Sequence, residues 1–204
     1  MTAVKVTVLY EDQRGETRDF ALHRLVMACV YDRTGGERHH VEALVEARPQ
    51  KGDAKLRQAC REDAALIAAD GRHLVAVFDD DHVRDLLKRE LPVGSAASEA
   101  VVVAAIKEGS TVTPERLSIV LLKKNAETVL EAAAQCDADL ARDQLDAAIR
   151  RKERLYRDLI FKAVARGEKR SVRECILTRV PSLAALVELL VALVRNELTP
   201  SPEG

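Results

Sequence analysis

Tryptophan is absent from this 204-residue chain, and aromatic residues together make up 3% of it. So few rings argue against a surface that holds single strands by stacking bases on aromatic faces. Net charge is scarce as well, with 32 lysines and arginines against 33 aspartates and glutamates and a formal balance of -1. No whole-molecule field steers such a chain to nucleic acid or membrane, so electrostatic recognition must be local. The four cysteines (Cys29, Cys60, Cys136 and Cys175) are far apart and form no CxxC pair. Neither a zinc site nor a disulfide framework is expected from them; they read as reduced, partly buried thiols of a cytoplasmic protein.

Long apolar runs are also missing. The longest, LAALVELLVALV at 183–194, contains Glu188 and is too short to span a bilayer. The opening MTAVKVTVLYED lacks the apolar core of a signal peptide. A soluble, cytoplasmic protein with no membrane association is the expectation. No phosphate loop of the GxxxxGK(S/T) type occurs, and RTGGERHH lacks its spacing, so the chain is not itself a P-loop ATPase. Internal repeats and low-complexity segments are absent too.

What is present is 47% hydrophobic and 32% charged residues, enough for one globular unit or one core with an appended subdomain. VKVTVLY (4–10) is β-branched and ends in Glu-Asp, a strand followed by a turn. FALHRLVMACVYD (20–32) carries apolar residues at helical spacing. RTGGERH (33–39) reads as a loop and VEALVEA (41–47) as a second strand punctuated by Pro49 and Gly52. A helix is expected from about Asp53 to Ala69, then LVAVF (74–78) as a strand buried on both faces. Helices over 82–91 and 98–108 and a fourth strand, LSIVLL (117–122), follow. This alternation is that of an α/β fold with a mainly parallel sheet sandwiched by helices. From Ala126 the pattern is helical almost throughout. The expected division is therefore an α/β domain over 1–125 and a helical C-terminal region over 126–204.

In a parallel sheet, functional side chains gather at the carboxyl ends of the strands. Here those ends carry acids: Glu11-Asp12 after strand one, Asp79-Asp80-Asp81 after strand three, and Glu127 five residues beyond strand four. Such a cluster suits a hard divalent cation, which takes one or two carboxylates, keeps waters and accepts a substrate phosphate. Without a cation, close carboxylates repel one another and at least one pKa must rise. The plainer alternative is a solvated turn, with Asp80 or Asp81 capping the next helix.

The order strand–Glu, helix and strand, then strand–Asp-x-Asp resembles the Toprim fold of topoisomerases, primases and overcoming-lysogenization-defect (OLD) type nucleases. The residues that carry it are VTVLYED, with Glu11, and LVAVFDDD, with Asp79 and Asp81. PQKGDAKL (49–56) resembles the Gly/Lys-rich turn of small stand-alone relatives, and LSIVLLKKNAETVLEAA (117–133) their later strand and helix. The resemblance spans roughly residues 4–133. It implies magnesium (or manganese) held by Glu11, Asp79, Asp81 and Glu127, with Glu11, Asp79 and Asp81 in catalytic roles and Glu11 as a general acid/base or ligand. It also implies a prokaryotic antiphage setting beside an ATPase partner. The chain departs from the family pattern at two places: Asp12 stands where a glycine usually follows the glutamate, and His82-Val83-Arg84 where a glycine follows the aspartates.

Phosphate contacts are expected from Lys51, after strand two, and from Lys123 and Lys124, after strand four. RRKERLYRDLIFKAVARGEKRSVR (150–173) holds ten positive and three negative residues. Its Arg150, Arg151 and Arg157 are candidates for sequence-independent nucleic-acid contacts; a solvated helix face is the plainer reading. His82 borders the acids, whereas His73, His39 and His40 read as structural and His23 as a half-buried packing residue. LAALVELLVALV reads as a core helix or an oligomer contact. Together these readings point to metal-dependent phosphodiester cleavage of nucleic acid. Its rivals are a non-catalytic interaction module within a larger assembly and hydrolysis of a small phosphoester. The three tyrosines, Tyr10, Tyr31 and Tyr156, lack a topoisomerase-like context.

Overall fold

The computed structural model describes residues 4–11, 21–35, 38–62, 69–91, 97–110, 114–123, 125–137 and 154–198, with backbone alone for 125–127, 154–158 and 197–198. Four strands, β1 (Val6–Glu11), β2 (Val45–Gln50), β3 (His73–Asp79) and β4 (Leu117–Leu122), form one sheet in the order β2-β1-β3-β4. All three pairings are parallel. The α/β class with a parallel sheet is therefore the observed one, and it is consistent with a Toprim-like fold.

The chain forms two compact units, one of residues 1–18 and 44–123 and the other of 19–43 and 124–204. The sequence placed one boundary at 125/126. In the structure the segment between β1 and β2 also groups with the C-terminal helices.

In the sheet unit, β3 is buried along its length from Leu74 to Phe78. That is why its run is continuously apolar rather than alternating. One face is packed by α3 (Asp53–Arg61), α4 (Asp80–Leu86) and α5 (Glu99–Lys107). Leu9, Leu74, Ala76 and Phe78 of the strands meet Leu56, Val83, Val102 and Ile106 of these helices. Burying each such large side chain contributes about 1.5–3 kcal/mol. The opposite-facing Val8, Tyr10, Val75 and Val77 are at most 3% exposed as well.

The second expected strand is corrected. Residues 38–44 form helix α2 (Arg38–Leu44), and β2 begins only at Val45 and runs through Pro49. β2 is an edge strand, the position where a proline without an N–H is tolerated. His39 and His40 accordingly lie on α2, their rings 4.1 Å apart, and not in a loop.

In the helical unit, α1 (Ala21–Thr34) packs against α7 (Arg154–Ala165) and α9 (Pro181–Leu198). α6 (Asn125–Cys136) packs against α8 (Arg170–Arg179). The apolar 183–194 run is a core helix: Leu183, Leu186, Val187, Leu190 and Val194 are all buried. Pro181 opens it, where its missing N–H is not needed.

The cysteine reading is overturned in part. Cys136 and Cys175, 39 residues apart, form a disulfide with Cα atoms 5.8 Å apart, whereas Cys29 and Cys60 are free and buried. The pairing arises because α6 and α8 lie side by side, which no local spacing reveals. The inference from reduced thiols to a reducing compartment lapses with it. Among the described residues no single helix is long and apolar enough to cross a membrane.

Candidate functional site

The strand order reverses direction between β1 and β3: from β1 the chain goes outward to β2, then returns to the other side for β3 and β4. This is the switch point at which a parallel sheet opens a crevice beyond its carboxyl ends. Glu11 ends β1 and Asp79 ends β3, so both carboxylates leave the sheet at that point.

A third carboxylate joins them from a segment that the acid runs did not mark. Gly52 has φ 83°, a left-handed value that glycine adopts without strain. Its turn follows β2 directly and opens α3 with Asp53 as the first helical residue. The Asp53 side chain is only 9% exposed, and Asp79's is 11% exposed. Asp53 Oδ1 is buried and accepts no hydrogen bond. The Asp53 carboxyl is pushed up to about 6, first by burial and then by the Glu11 charge; His82 acts in the opposite direction and Asp79 adds to the rise. Burial and the neighbouring carboxylates thus act together on Asp53.

His82 stands over this group on α4. Its Nδ1 lies 3.6 Å from Asp79 Oδ2 and 3.9 Å from Asp53 Oδ2, on a side chain that is 58% exposed. The three adjacent aspartates are split by the strand-to-helix turn. Asp79 is the N-cap of α4, with no side-chain capping bond. Asp80 points inward, where Arg84 Nε donates to its Oδ1 at 2.7 Å while Arg84 Nη1 donates to the Ala97 carbonyl. Asp80 is thus an internal anchor for the helix and not the cap of a solvated turn. Asp81 is exposed in the first turn of α4.

Lys51, after β2, and Lys123, after β4, are exposed at the same carboxyl edge. Lys124, Arg150 and Arg151 lie outside the described residues, as do the side chains of Glu127 and Arg157. The remaining described part of the basic block is partly turned inward. Arg173 is 5% exposed and donates from Nε and Nη2 to Asp32 at 2.6 and 2.9 Å. Lys169 Nζ bonds Asp137 at 2.5 Å. Two of the ten positive charges therefore hold helices together instead of facing solvent, a use that linear charge counting does not register. His73 sits at the amino end of β3, with Nε2 2.9 Å from Ser118 Oγ, and is structural. Tyr10 is 2% exposed and burial pushes its phenol well above the ordinary range, which makes it a poor nucleophile.

Comparison with known proteins adds little to this geometry. No family model matches the chain, and no curated protein does. Two solved structures of the C-terminal region of the Xanthomonas campestris pv. campestris OLD protein are similar to it at 11% identity. One covers 96% of this chain and 98% of that one with a TM-score of 0.40; the other covers 95% of each with a TM-score of 0.38. At this level the likeness carries no weight for function.

The donor set fits a hard divalent cation: carboxylate oxygens, one of them buried with nothing donating to it. Among the described residues, no three histidine, cysteine or acidic groups are arranged as a formed metal site. A cation would therefore have to draw these side chains together.

Sequence reasoning missed Asp53. Its signal was visible in PQKGDAKL, a glycine turn after a strand followed by an acid at the first helical position.

Proposed function

We propose that the protein cleaves phosphodiester bonds of nucleic acid with the help of magnesium or manganese. One observation carries this reading: Asp53 and Asp79, from separate chain segments, are both nearly buried beside His82 at the switch point of a parallel sheet, and burial first, then the Glu11 charge, raises the Asp53 carboxyl. A stable protein has little reason to gather like charges there unless a cation offsets their repulsion. Glu11, Asp79 and Asp81 are the residues that would hold it, as the Toprim resemblance implies, with Glu127 as a supplement. The ion, when bound, polarises a phosphoryl group and stabilises the attacking and leaving oxygens. Glu11 would hold or move a proton beside it. Lys51 and Lys123 would supply point charges for the flanking phosphates, and Lys124, Arg150, Arg151 and Arg157 are the further phosphate contacts this reading expects. An ATPase partner acting in trans, in a bacterial antiphage setting, belongs to the same proposal and rests on the resemblance alone.

The test is nicking of supercoiled plasmid in magnesium or manganese by wild type, Glu11→Ala and Asp79→Ala. Wild-type nicking that both substitutions abolish is the expected result. Activity that survives both removes the nuclease reading. A specific observation keeps the non-catalytic module in play: Asp12 occupies the place where glycine lets backbone approach a phosphate. Absence of nicking with partners present favours that reading, and nucleotide substrates in the same assay detect a small-phosphoester hydrolase.

A further inference from the structure

Asp53 is not among the acids that the motif resemblance assigns, yet it is the most sequestered carboxylate at the site. Its side chain is nine-tenths buried, and Oδ1 accepts no hydrogen bond. An ionised carboxylate held in that state is destabilising unless something positive compensates it. The local cations do not do so. Lys55, in the same first turn of α3, donates to Gln58. Arg57 is engaged by Glu90, and Arg84 by Asp80. Among the described residues, the positive-capable group facing Asp53 is His82, whose Nδ1 is also the atom that Asp79 approaches. Oδ2 of both carboxylates therefore points toward one place, now taken by an exposed imidazole that can swing into solvent.

We infer that Asp53 is a direct ligand of a divalent cation at this edge, acting with Asp79, and that His82 is the side chain the cation displaces. The inference rests on the cation-dependent reading above and adds to it a ligand that follows β2. Acids delivered after β1, β2 and β3 then surround the switch point, instead of those after β1 and β3 alone. Gly52 gains a purpose as well: its positive φ opens α3 so that the first helical residue carries the ligand.

The experiment titrates MnCl2 into the full chain by calorimetry for wild type, Asp53→Asn and Asp79→Asn. Thermal midpoints are read in EDTA and in saturating Mn2+. Asp53→Asn is expected to weaken Mn2+ binding by about tenfold or more, the range in which metal-site residues act, and to shrink the Mn2+-induced rise in midpoint. In EDTA its midpoint is expected to equal or exceed wild type, because a repelled buried charge has been removed. A purely structural anion would show the reverse, and a lower midpoint in EDTA with unchanged Mn2+ binding overturns the inference. If Asp79→Asn loses Mn2+ and Asp53→Asn keeps it, the inference falls while the proposed function stands. If Asp53→Asn loses Mn2+ but wild type nicks no plasmid, the inference stands and the nuclease reading falls. A wild type that binds no Mn2+ overturns both.

Discussion

In the helical unit, Arg173 and Asp32 meet through two hydrogen bonds, and a third runs from Arg173 Nη1 to the Val164 carbonyl at 3.0 Å. Nearby, Arg33 bonds Glu174 from Nε and Nη2 and also contacts Glu188. At the switch point of the sheet, by contrast, Asp53 faces Glu11 and Asp79, and its buried Oδ1 accepts nothing. One unit uses buried charge to tie helices together; the other tolerates repulsion where a cation could act. Local choices that disagree with stability tend to sit at functional positions. The contrast therefore favours the sheet unit as the seat of the proposed function, on physical grounds that no motif supplies.

The contrast breaks most visibly if a helical-unit charge loses its partner. Asp32→Ala strands Arg173, 5% exposed, and is expected to cost about 3–5 kcal/mol. Equilibrium urea denaturation checks this, and a loss below about 1 kcal/mol would mean that the pair behaves as a surface one. Next in size is the covalent tie. Cys175→Ser opens a 39-residue separation and is expected to lower stability by about 2–4 kcal/mol. The same loss should appear in wild type under reductant and not in the variant; a variant as stable as oxidised wild type would remove the tie from the account.

At the sheet edge the sign reverses. Glu11→Gln takes away the charge that most raises the Asp53 carboxyl after burial. Denaturation in chelator is expected to show a gain on the order of 1 kcal/mol alongside the loss of any nicking. A destabilised Glu11→Gln would place that carboxylate with the paired charges of the helical unit and dissolve the contrast.

How much of this was legible in the sequence depends on how local each signal is. The strands LVAVF and LSIVLL were readable because a buried parallel strand needs an unbroken apolar run. The acids at Glu11 and Asp79 were readable because strand ends are functional positions in such sheets. VEALVEA misled because its alternation fits a strand, while its first residues lie on α2 and only 45–47 join the sheet. Asp53, the Cys136–Cys175 bond and the Arg173–Asp32 pair were hidden for a different reason. Each depends on contacts between segments that only the folded chain brings together, and composition records none of them. Asp80 shows the limit within a single motif: nothing in DDD distinguishes the residue that Arg84 holds inside from its neighbour left in solvent.

The last expected effect concerns pH and completes the contrast from the helical side. His23, on α1, is lowered by burial to about 4, with Glu42 pulling the other way. The ordinary value is 6.5, so as pH falls the unfolded chain takes up the proton first. Stability from this group is whole above about pH 6.5, declines as pH falls toward 4, and changes no further below that. Asp53 shifts the opposite way, so the buried carboxyl and the half-buried imidazole oppose each other across the acid range. His23→Gln keeps a polar side chain of similar size but removes the proton site. The difference in unfolding free energy between wild type and His23→Gln should therefore narrow or change sign between pH 7 and pH 4. A difference that stays constant over that interval means His23 is as solvated folded as unfolded. The helical unit would then hold its ion pairs and its packing, but no desolvated imidazole.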